Sequence, residues 1–274
     1  MTQVPSAKYY EEQGVTLYHG DCLELLPFFP AEHFDMVFAD PPYLLSNDGV
    51  TCRSGKQVSV NKGTWDRSHG VLADHNFVMQ WLSECRRVMR PDATIWVSGT
   101  HHMIYSVGFA MQRLGFRILN DIVWYKITPP PNLGCRCFTH STEIVLWAAR
   151  SRRSRHTFNY TDLKMMANDP FDRAGAQMKN VWGILPPRKD ERTHGKHPTQ
   201  KPLALLNRIL AAASKPDDLV LDPFLGSGTT AVSCLANGRQ CVGIELERQY
   251  LSLASARLDD RLGLHRLDFP AQVS

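Results

Sequence analysis

Residues 218–247 read DLVLDPFLGSGTTAVSCLANGRQCVGIELE, and they set the fold class of this 274-residue chain. The apolar run 218–222 predicts a buried strand. Gly226 and Gly228 follow it and open a stretch that is typical of a helix. A second apolar run, 240–245, predicts the next strand. This strand, glycine turn, helix and strand form the βαβ unit of a parallel α/β sheet.

Acidic and hydroxyl side chains around the glycine turn predict a ligand site. Asp222 ends the first strand and Glu245 ends the second, where an acid can accept hydrogen bonds from ribose hydroxyls. Ser227, Thr229 and Thr230 stand at the helix N-terminus, which offers N–H groups and hydroxyls to a negative group. The absence of a GK[ST] sequence excludes a P-loop. Three interpretations of this turn stay open. It could bind a dinucleotide, it could bind an adenosyl group with a carboxylate tail, or it could only pack the helix on the sheet.

The same alternation of strands and helices runs through the rest of the chain. Further buried strands are predicted at 35–40, 93–99, 121–126 and 143–148, and further helices at 75–90, 103–115, 202–214 and 246–262. Such alternation predicts one domain, 1–274, built on a doubly wound, mostly parallel sheet.

Composition narrows the class of protein. The chain is 43% hydrophobic and 21% charged, with a net charge of +4, which is an ordinary globular balance. It shows no signal segment and no apolar run near the length of a membrane span, so we expect a cytoplasmic protein without a membrane partner. The seven cysteines are scattered, which favours reduced thiols. We expect no metal site, even at the weak cluster of Cys135, Cys137 and His140.

A second motif follows the first predicted strand. Residues 35–43 read DMVFADPPY, and two consecutive prolines cannot continue a strand because neither supplies an N–H to the ladder. The strand therefore ends by displaying Asp40 and Tyr43. Sites in α/β sheets form at the carboxyl ends of strands, which is where both motifs fall.

Two stretches interrupt the alternation. Residues 44–74 form a long polar segment after the second motif, and we expect a lid over that site. Residues 150–196 are basic and polar, and we expect an inserted region rather than a separate core. Clusters at 150–155 (RSRRSR) and 188–197 (RKDERTHGKH) can contact phosphates or form solvated loops.

With these motifs in view, the chain resembles the S-adenosylmethionine-dependent amino-methyltransferases of DNA. Their catalytic motif is matched at 40–43 (DPPY) and their cofactor motif at 224–228 (FLGSG). HPTQKP stands at 197–202 and HGD at 19–21. The order of these motifs is the β-type arrangement, and the resemblance covers roughly 15–262. In several segments the chain looks most similar to GATC-type adenine methyltransferases that accept single-stranded DNA.

The resemblance implies a Rossmann-like class I methyltransferase fold in which 150–196 is the target-recognition insertion. It implies S-adenosyl-L-methionine as cofactor and methyl transfer to adenine N6 of a base flipped out of DNA. Double-stranded DNA, and also single-stranded DNA, would be the substrate. A homodimer, a cognate restriction endonuclease, and a DNA-associated location in a bacterial or phage-type setting are further expectations.

The resemblance also assigns roles to residues. Asp40 and the Pro41 carbonyl would accept hydrogen bonds from the target amine, Pro42 would stiffen the turn, and Tyr43 would offer a face to the base. The residues expected at the cofactor are Asp21, Cys22, Asp40, His197, Thr199, Lys201, Asp222, Phe224, Gly226, Ser227, Gly228, Thr229, Thr230 and Glu245. Those expected at the DNA are Lys56, Lys62, Arg150, Arg152, Arg153 and Arg155.

Four other functions stay open on the sequence. Cytosine-N4 methylation is the nearest, although Asp40 favours adenine within the family. Methylation of RNA or of a protein glutamine is disfavoured by the same aspartate and the basic 150–155 cluster. A nicotinamide-dependent dehydrogenase would leave DPPY and HPTQKP without a role. A DNA-binding module without activity would not need both motifs intact.

Overall fold

The structure is a computed structural model, and it describes residues 7–46, 50–53, 56–59, 61, 63, 66–129, 131–132, 134–166 and 170–264. The strands are β1 (Lys8–Glu12), β2 (Val15–His19), β3 (Phe34–Ala39), β4 (Val50–Arg53), β5 (Lys56–Ser59), β6 (Met89–Gly99), β7 (Arg117–Tyr125), β8 (Thr142–Ala149), β9 (Val181–Gly183), β10 (Leu219–Asp222) and β11 (Gln240–Glu245). The helices are α1 (Cys22–Leu25), α2 (Val71–Val88), α3 (Ile104–Arg113), α4 (Tyr160–Met165), α5 (Leu203–Ala213), α6 (Thr229–Ala236) and α7 (Arg248–Leu262).

Among the described strands, nine form one sheet in the order β1-β2-β11-β10-β3-β6-β8-β7-β9. The strands from β2 to β6 in this order run parallel, and β9 runs parallel to β7. β1 and β8 are antiparallel to their neighbours. The predicted α/β class with a doubly wound, mostly parallel sheet is thereby confirmed.

Helices cover both faces of the sheet because its central strands are apolar on both sides. In β3, Met36 and Phe38 face a core shared with α5, α6 and α7, whereas Val37 and Ala39 face a core shared with α2 and α3. This alternation follows from the two-residue repeat of a strand. No helix within the described ranges is long and apolar enough to span a membrane.

The predicted strands and helices correspond to observed elements, with shifts of a few residues at their ends. The N-terminal hairpin β1–β2 was not predicted, because these short strands carry charged and half-exposed side chains. β9 and α4 were also not predicted, since three- and six-residue elements are too short to give a clear hydrophobic period.

The segment predicted as a lid contains structure of its own. β4 and β5 pair as an antiparallel hairpin, and α2 starts at Val71. At the base of the segment, buried Asp66 accepts hydrogen bonds from the Leu44 and Leu45 amides, at 2.7 and 3.2 Å. This clamp holds the chain directly after DPPY, while the closing motion of a lid stays a prediction.

The segment 150–196 joins the main fold instead of forming its own core. β9 extends the sheet beside β7, and Trp182 and Leu163 belong to the main hydrophobic core. Buried Asp172 lies 3.9 Å from the guanidinium of buried Arg208 on α5. The segment is therefore tied to the same helix that follows the HPTQKP motif.

Candidate active site

Both sequence motifs open into one cavity of about 310 Å³ at the carboxyl edge of the sheet. β11, β10 and β3 are neighbours, and they end at Glu245, Asp222 and Ala39, so three acids converge there once Asp40 is included. The predicted catalytic and cofactor residues that line the cavity are Asp21, Cys22, Asp40, Pro41, Pro42, Tyr43, His197, Thr199, Lys201, Asp222, Phe224, Gly226, Ser227, Thr229, Thr230 and Glu245.

Gly228 is the exception among the predicted cofactor residues, because it packs behind the loop. A Cβ at this position would lie 2.6 Å from the Cβ of Ala254 on α7, and its φ of +76° is a left-handed conformation. Gly226 also has a positive φ, of +55°. Backbone conformation therefore favours glycine at both positions, and close packing against α7 adds a second reason at Gly228.

Arg257 supports the glycine loop from α7. Its Nη1 donates to the Ser227 carbonyl at 2.6 Å and to the Thr229 hydroxyl at 3.1 Å. Thr229 in turn donates to the carbonyl of Lys201 at 3.1 Å, which joins the loop to the HPTQKP segment. The sequence reading missed Arg257 because a lone arginine within a helix carries no local signal.

Glu245 fastens the loop to the neighbouring strand. Its two carboxylate oxygens accept from the amides of Gly226 and Glu247, both at 2.7 Å. Each oxygen has a second lone pair, so hydroxyl donors in the cavity can still be bound. Burial raises the pKa of Glu245.

Asp222 lies under the loop and is almost fully buried. It accepts from the Phe224 amide at 3.0 Å. Burial raises its pKa to about 7, and the hydrogen bond from Thr230 opposes this shift only in part. A cationic group in the cavity would therefore stabilise the charged form of Asp222.

His197 acts as a neutral wall of the cavity. Its Nδ1 accepts from the Thr199 amide at 3.3 Å, and its ring packs edge-on against Tyr250 with centroids 4.2 Å apart. Burial, with the nearby charges of Lys201 and Arg257, lowers the pKa of His197 to about 3. At neutral pH its imidazole is therefore uncharged, and it can shape the loop beside Gly226 without acting as a proton donor in the imidazolium form.

Asp21 and Cys22 line the cavity at the start of α1. Asp21 is the N-cap of this helix and accepts from the Leu23 amide at 2.8 Å. Cys22 is buried, and burial raises the pKa of its thiol well above the ordinary value. A small neutral thiol at this place is an apolar wall residue.

Asp40 is the centre of a buried polar cluster. Its Oδ1 accepts from the hydroxyls of Tyr43, at 2.8 Å, and Ser98. Its Oδ2 accepts from the Lys201 ammonium at 2.5 Å. A carboxylate has about four acceptor positions, and the single Tyr43 proton can go either to Asp40 or to Glu143. At most three donors therefore occupy Asp40, which leaves at least one position for a further N–H group.

Tyr43 lines the cavity and is largely buried, and its role of offering a ring face to the base stays a prediction. The residue is only 8% exposed, and the Lys201 ammonium lies 5.0 Å from its ring centroid. Its hydroxyl is turned inward, toward Asp40, Ser98 and Glu143. Burial, followed by the charges of Asp40 and Glu143, raises the pKa of Tyr43 well above its usual value, so the hydroxyl remains a donor.

Three members of this cluster were missed by the sequence reading: Ser98, Lys126 and Glu143. Ser98 stands near the end of β6, beside β3. Lys126 follows β7, and its ammonium pairs with Glu143 near the start of β8. One indication of this cluster was present in the sequence, since Glu143 is the charged residue that begins the otherwise apolar strand EIVLWA.

The arginines predicted to contact DNA lie at the other edge of the sheet. β8 is antiparallel to β6, and Ala149 pairs with Thr94 at the start of the buried part of β6. Arg150 follows directly and pairs with Glu32 at 2.7 Å. Arg152, Arg153 and Arg155 continue from there, and six residues of β6 span about 20 Å.

Contact of these arginines with DNA stays a prediction, because the structure shows only where they lie. Strand direction carries the 150–155 cluster away from Asp40, and the cluster is not brought to the cavity. The other basic segment, 188–197, leads from the cavity end of β9 to the HPTQKP motif, with Lys189, Arg192 and Lys196 exposed. Of the two lysines predicted in the lid, Lys62 lies outside the described residues, and Lys56 is described only as a strand position.

Comparison with known proteins adds an independent finding. The profile of a DNA methylase family matches residues 34–256. The chain is 48% identical over 252 residues to the Type II methyltransferase M2.LlaDCHI of Lactococcus lactis subsp. cremoris, covering 92% of this chain and 91% of that relative. It is 46% identical over 252 residues to the Type II methyltransferase M2.DpnII of Streptococcus pneumoniae, covering 92% of both.

A solved structure agrees with the fold. The crystal structure of the M1.HpyAVI-SAM complex superposes with a TM-score of 0.64 at 26% identity, over 89% of this chain and 99% of that one. The resemblance drawn from the motifs is thereby confirmed. Since the family profile spans most of the chain and the relatives share nearly half of its residues, the chain belongs to the N6/N4 family of DNA methylases.

Proposed function

We propose that this protein is a site-specific DNA methyltransferase that transfers a methyl group from S-adenosyl-L-methionine to N6 of adenine. The observation that carries the proposal is the meeting of DPPY and the glycine loop in one cavity, with one acceptor position of Asp40 left open. The relatives named above are Type II methyltransferases, which supports the same activity.

The residues of the cavity fit the proposed cofactor. Glu245 retains lone pairs for two ribose hydroxyls, and the left-handed Gly226 lets the backbone approach a ligand. Asp222 faces the cavity with a carboxyl that a cation would ionise. When bound, S-adenosyl-L-methionine supplies a methyl group that is already activated on a cationic sulfur.

Asp40 and Pro41 act on the target amine. The lone pair of an exocyclic amine is conjugated with the ring, so the amine is a poor nucleophile. Asp40 accepts one N–H of the amine at its open position, and the Pro41 carbonyl accepts the other. Both bonds return electron density to the nitrogen, and the Pro41-Pro42 turn fixes the acceptors in place.

The base must leave the double helix to reach Asp40. We propose that the exposed basic segment 188–197, at the cavity edge, contacts the phosphates beside the flipped base. The segment 150–196 is proposed as the target-recognition region and 44–74 as the lid. Single-stranded DNA needs no unpairing, which supports its acceptance as a second substrate.

We further propose a homodimer that serves beside a cognate restriction endonuclease in the bacterial cytoplasm. Support for the dimer is an apolar patch on α2 and α3, formed by Val71, Leu72, Tyr105 and Phe109, which are 52–85% exposed. The Type II class of the relatives supports the restriction partner.

The test is methylation of DNA with labelled cofactor, followed by nucleoside analysis. We expect N6-methyladenine from the wild type and a loss of at least about 100-fold for Asp40→Ala. Sequencing of the modified DNA would identify the recognition sequence. Formation of N4-methylcytosine alone would favour the alternative substrate, and full activity of Asp40→Ala would contradict the proposed chemistry.

A further inference from the structure

Glu143 is a buried carboxylate that contacts side chains from three other parts of the chain. It lies near the start of β8, paired with Trp124 of β7 and next to the end of β6. Its side chain is 9% exposed. One oxygen, Oε1, pairs with the Lys126 ammonium, while the other points inward to Tyr43 and Lys201.

A purely structural ion pair would explain only half of this arrangement. Lys126 is the outer partner, with 31% of its side chain exposed, and it alone would neutralise a glutamate at this depth. The inner oxygen of Glu143 instead lies 3.1 Å from the Tyr43 hydroxyl and 3.9 Å from the Lys201 ammonium. These are two of the three groups that hold the carboxylate of Asp40.

We propose that Glu143 is a positioning residue of the methyl transfer. Its inner oxygen competes with Asp40 for the Lys201 ammonium and for the single Tyr43 proton, which limits how many acceptor positions of Asp40 they occupy and leaves one for the target amine. This inference rests on the proposed function of Asp40.

The number of donors around Asp40 explains why a second carboxylate is needed. The Lys201 ammonium has three N–H groups and is buried, so each of them seeks an acceptor. With Glu143 in place, the ammonium is shared between two carboxylates. Without that charge, Asp40 is the carboxylate that the ammonium already contacts, whereas Asp222 adds a weaker attraction, so the ammonium can turn onto the open position of Asp40. The target amine then loses its acceptor.

Glu143→Gln tests the proposal, because the amide keeps the size of the side chain and removes its charge. Glu143 is not among the residues lining the cavity, so the affinity for S-adenosyl-L-methionine measured by calorimetry is expected to stay within about threefold. The single-turnover rate of methylation is expected to fall about 100-fold, which is typical for a misplaced reacting group. Glu32→Gln is the matched control, since it makes the same substitution in an ion pair with Arg150 that lies away from the cavity, and its rate should fall less than about threefold.

The pH dependence of the methylation rate distinguishes a positioning role of Glu143 from a general loss of structure in the variant. Burial would lower the pKa of Lys201, but Asp40, Glu143 and, more weakly, Asp222 outweigh burial and raise it. Glu143→Gln removes one of these three acids, so Lys201 loses its proton at a lower pH. The alkaline limb of the single-turnover rate should therefore move to lower pH in Glu143→Gln and should not do so in Glu32→Gln.

Other outcomes would overturn the inference. A Glu143→Gln enzyme with the wild-type rate and pH profile, alongside an inactive Asp40→Ala, would leave Asp40 in its role and remove Glu143 from the mechanism. Retained activity in Asp40→Ala would overturn both. If Glu143→Gln lowers the thermal midpoint too far, the double variant Glu143→Gln/Lys126→Gln restores charge balance. Recovery of full activity in that variant would show that Glu143 only balances Lys126, and persistent loss would support positioning.

Discussion

At the scale of single residues, the site depends on polar groups whose partners are distant in sequence. Lys201 is 161 positions from Asp40 and yet lies 2.5 Å from its carboxylate. The motif HPTQKP indicated Lys201 as a cofactor residue, but it did not indicate a contact with Asp40. Its burial beside Asp40 and Glu143 follows from how α5 packs against the sheet edge, which local sequence does not encode.

Asp222 gives a prediction about pH and stability. Burial raises its pKa from 3.8 to about 7 in the folded protein, so the unfolded chain binds fewer protons between these values. Stability contributed by this group is present below the unfolded pKa and is lost as the pH rises through the folded pKa. In the cofactor-free protein, we expect the free energy of unfolding of the wild type to fall by about 2 kcal/mol relative to Asp222→Asn between about pH 5 and about pH 7.

Denaturant unfolding at both pH values measures this difference. Glu24→Gln, at an exposed acid on α1, is the control and should track the wild type. Parallel pH curves for Asp222→Asn and the wild type would contradict the buried, proton-binding state of Asp222.

At the scale of elements, strand direction decides which loops reach the site. Composition made 150–155 and 188–197 equivalent candidates for DNA contact. Because β8 runs antiparallel to β6, residues 150–155 lie beside the amino-terminal end of β6. Residues 188–197 follow β9, which ends on the same side of the sheet as the cavity. Periodicity identified β8 as a strand but could not give its direction, because a buried strand in either direction has the same apolar pattern.

Matched charge removal distinguishes the two basic segments. Lys189→Gln/Lys196→Gln and Arg152→Gln/Arg153→Gln each remove two exposed positive charges. We expect the first pair to weaken DNA binding and to reduce the slope of log K against log salt by about 0.9 per lost phosphate contact. The arginine pair should leave the slope unchanged. A larger effect from the arginine pair would place the DNA at the opposite edge of the sheet.

At the scale of the whole molecule, the apolar patch on α2 and α3 is the surface proposed to contact a second copy. Tyr105 and Phe109 stand one turn apart on α3, and His75 of α2 packs against Phe109 with ring centroids 5.6 Å apart. His75 also bonds Ser106 at 2.7 Å, which holds the two helices together as one surface. Contiguous exposed apolar side chains of this kind mark interaction sites.

Sedimentation velocity tests the homodimer. We expect the wild type to sediment as a dimer and Leu72→Lys/Phe109→Lys as a monomer, because two buried ammonium groups per subunit oppose association. Met165→Lys is the control, since Met165 is 77% exposed on α4, outside the patch. A monomeric wild type, or a dimer that survives the double substitution, would contradict this surface.

The sequence was sufficient for the fold class, the two motifs and the cavity they share. Apolar runs set the central strands, the prolines of DPPY and the glycines of FLGSG terminate β3 and β10, and parallel neighbours must then place their carboxyl ends together. These are local rules of backbone conformation and burial. The tertiary structure was needed for the inward hydroxyl of Tyr43, the Asp40–Lys201–Glu143 cluster and the distant position of Arg150. Those features depend on strand direction and on contacts between residues far apart in the chain. The local pattern of apolar and polar residues determines neither of them.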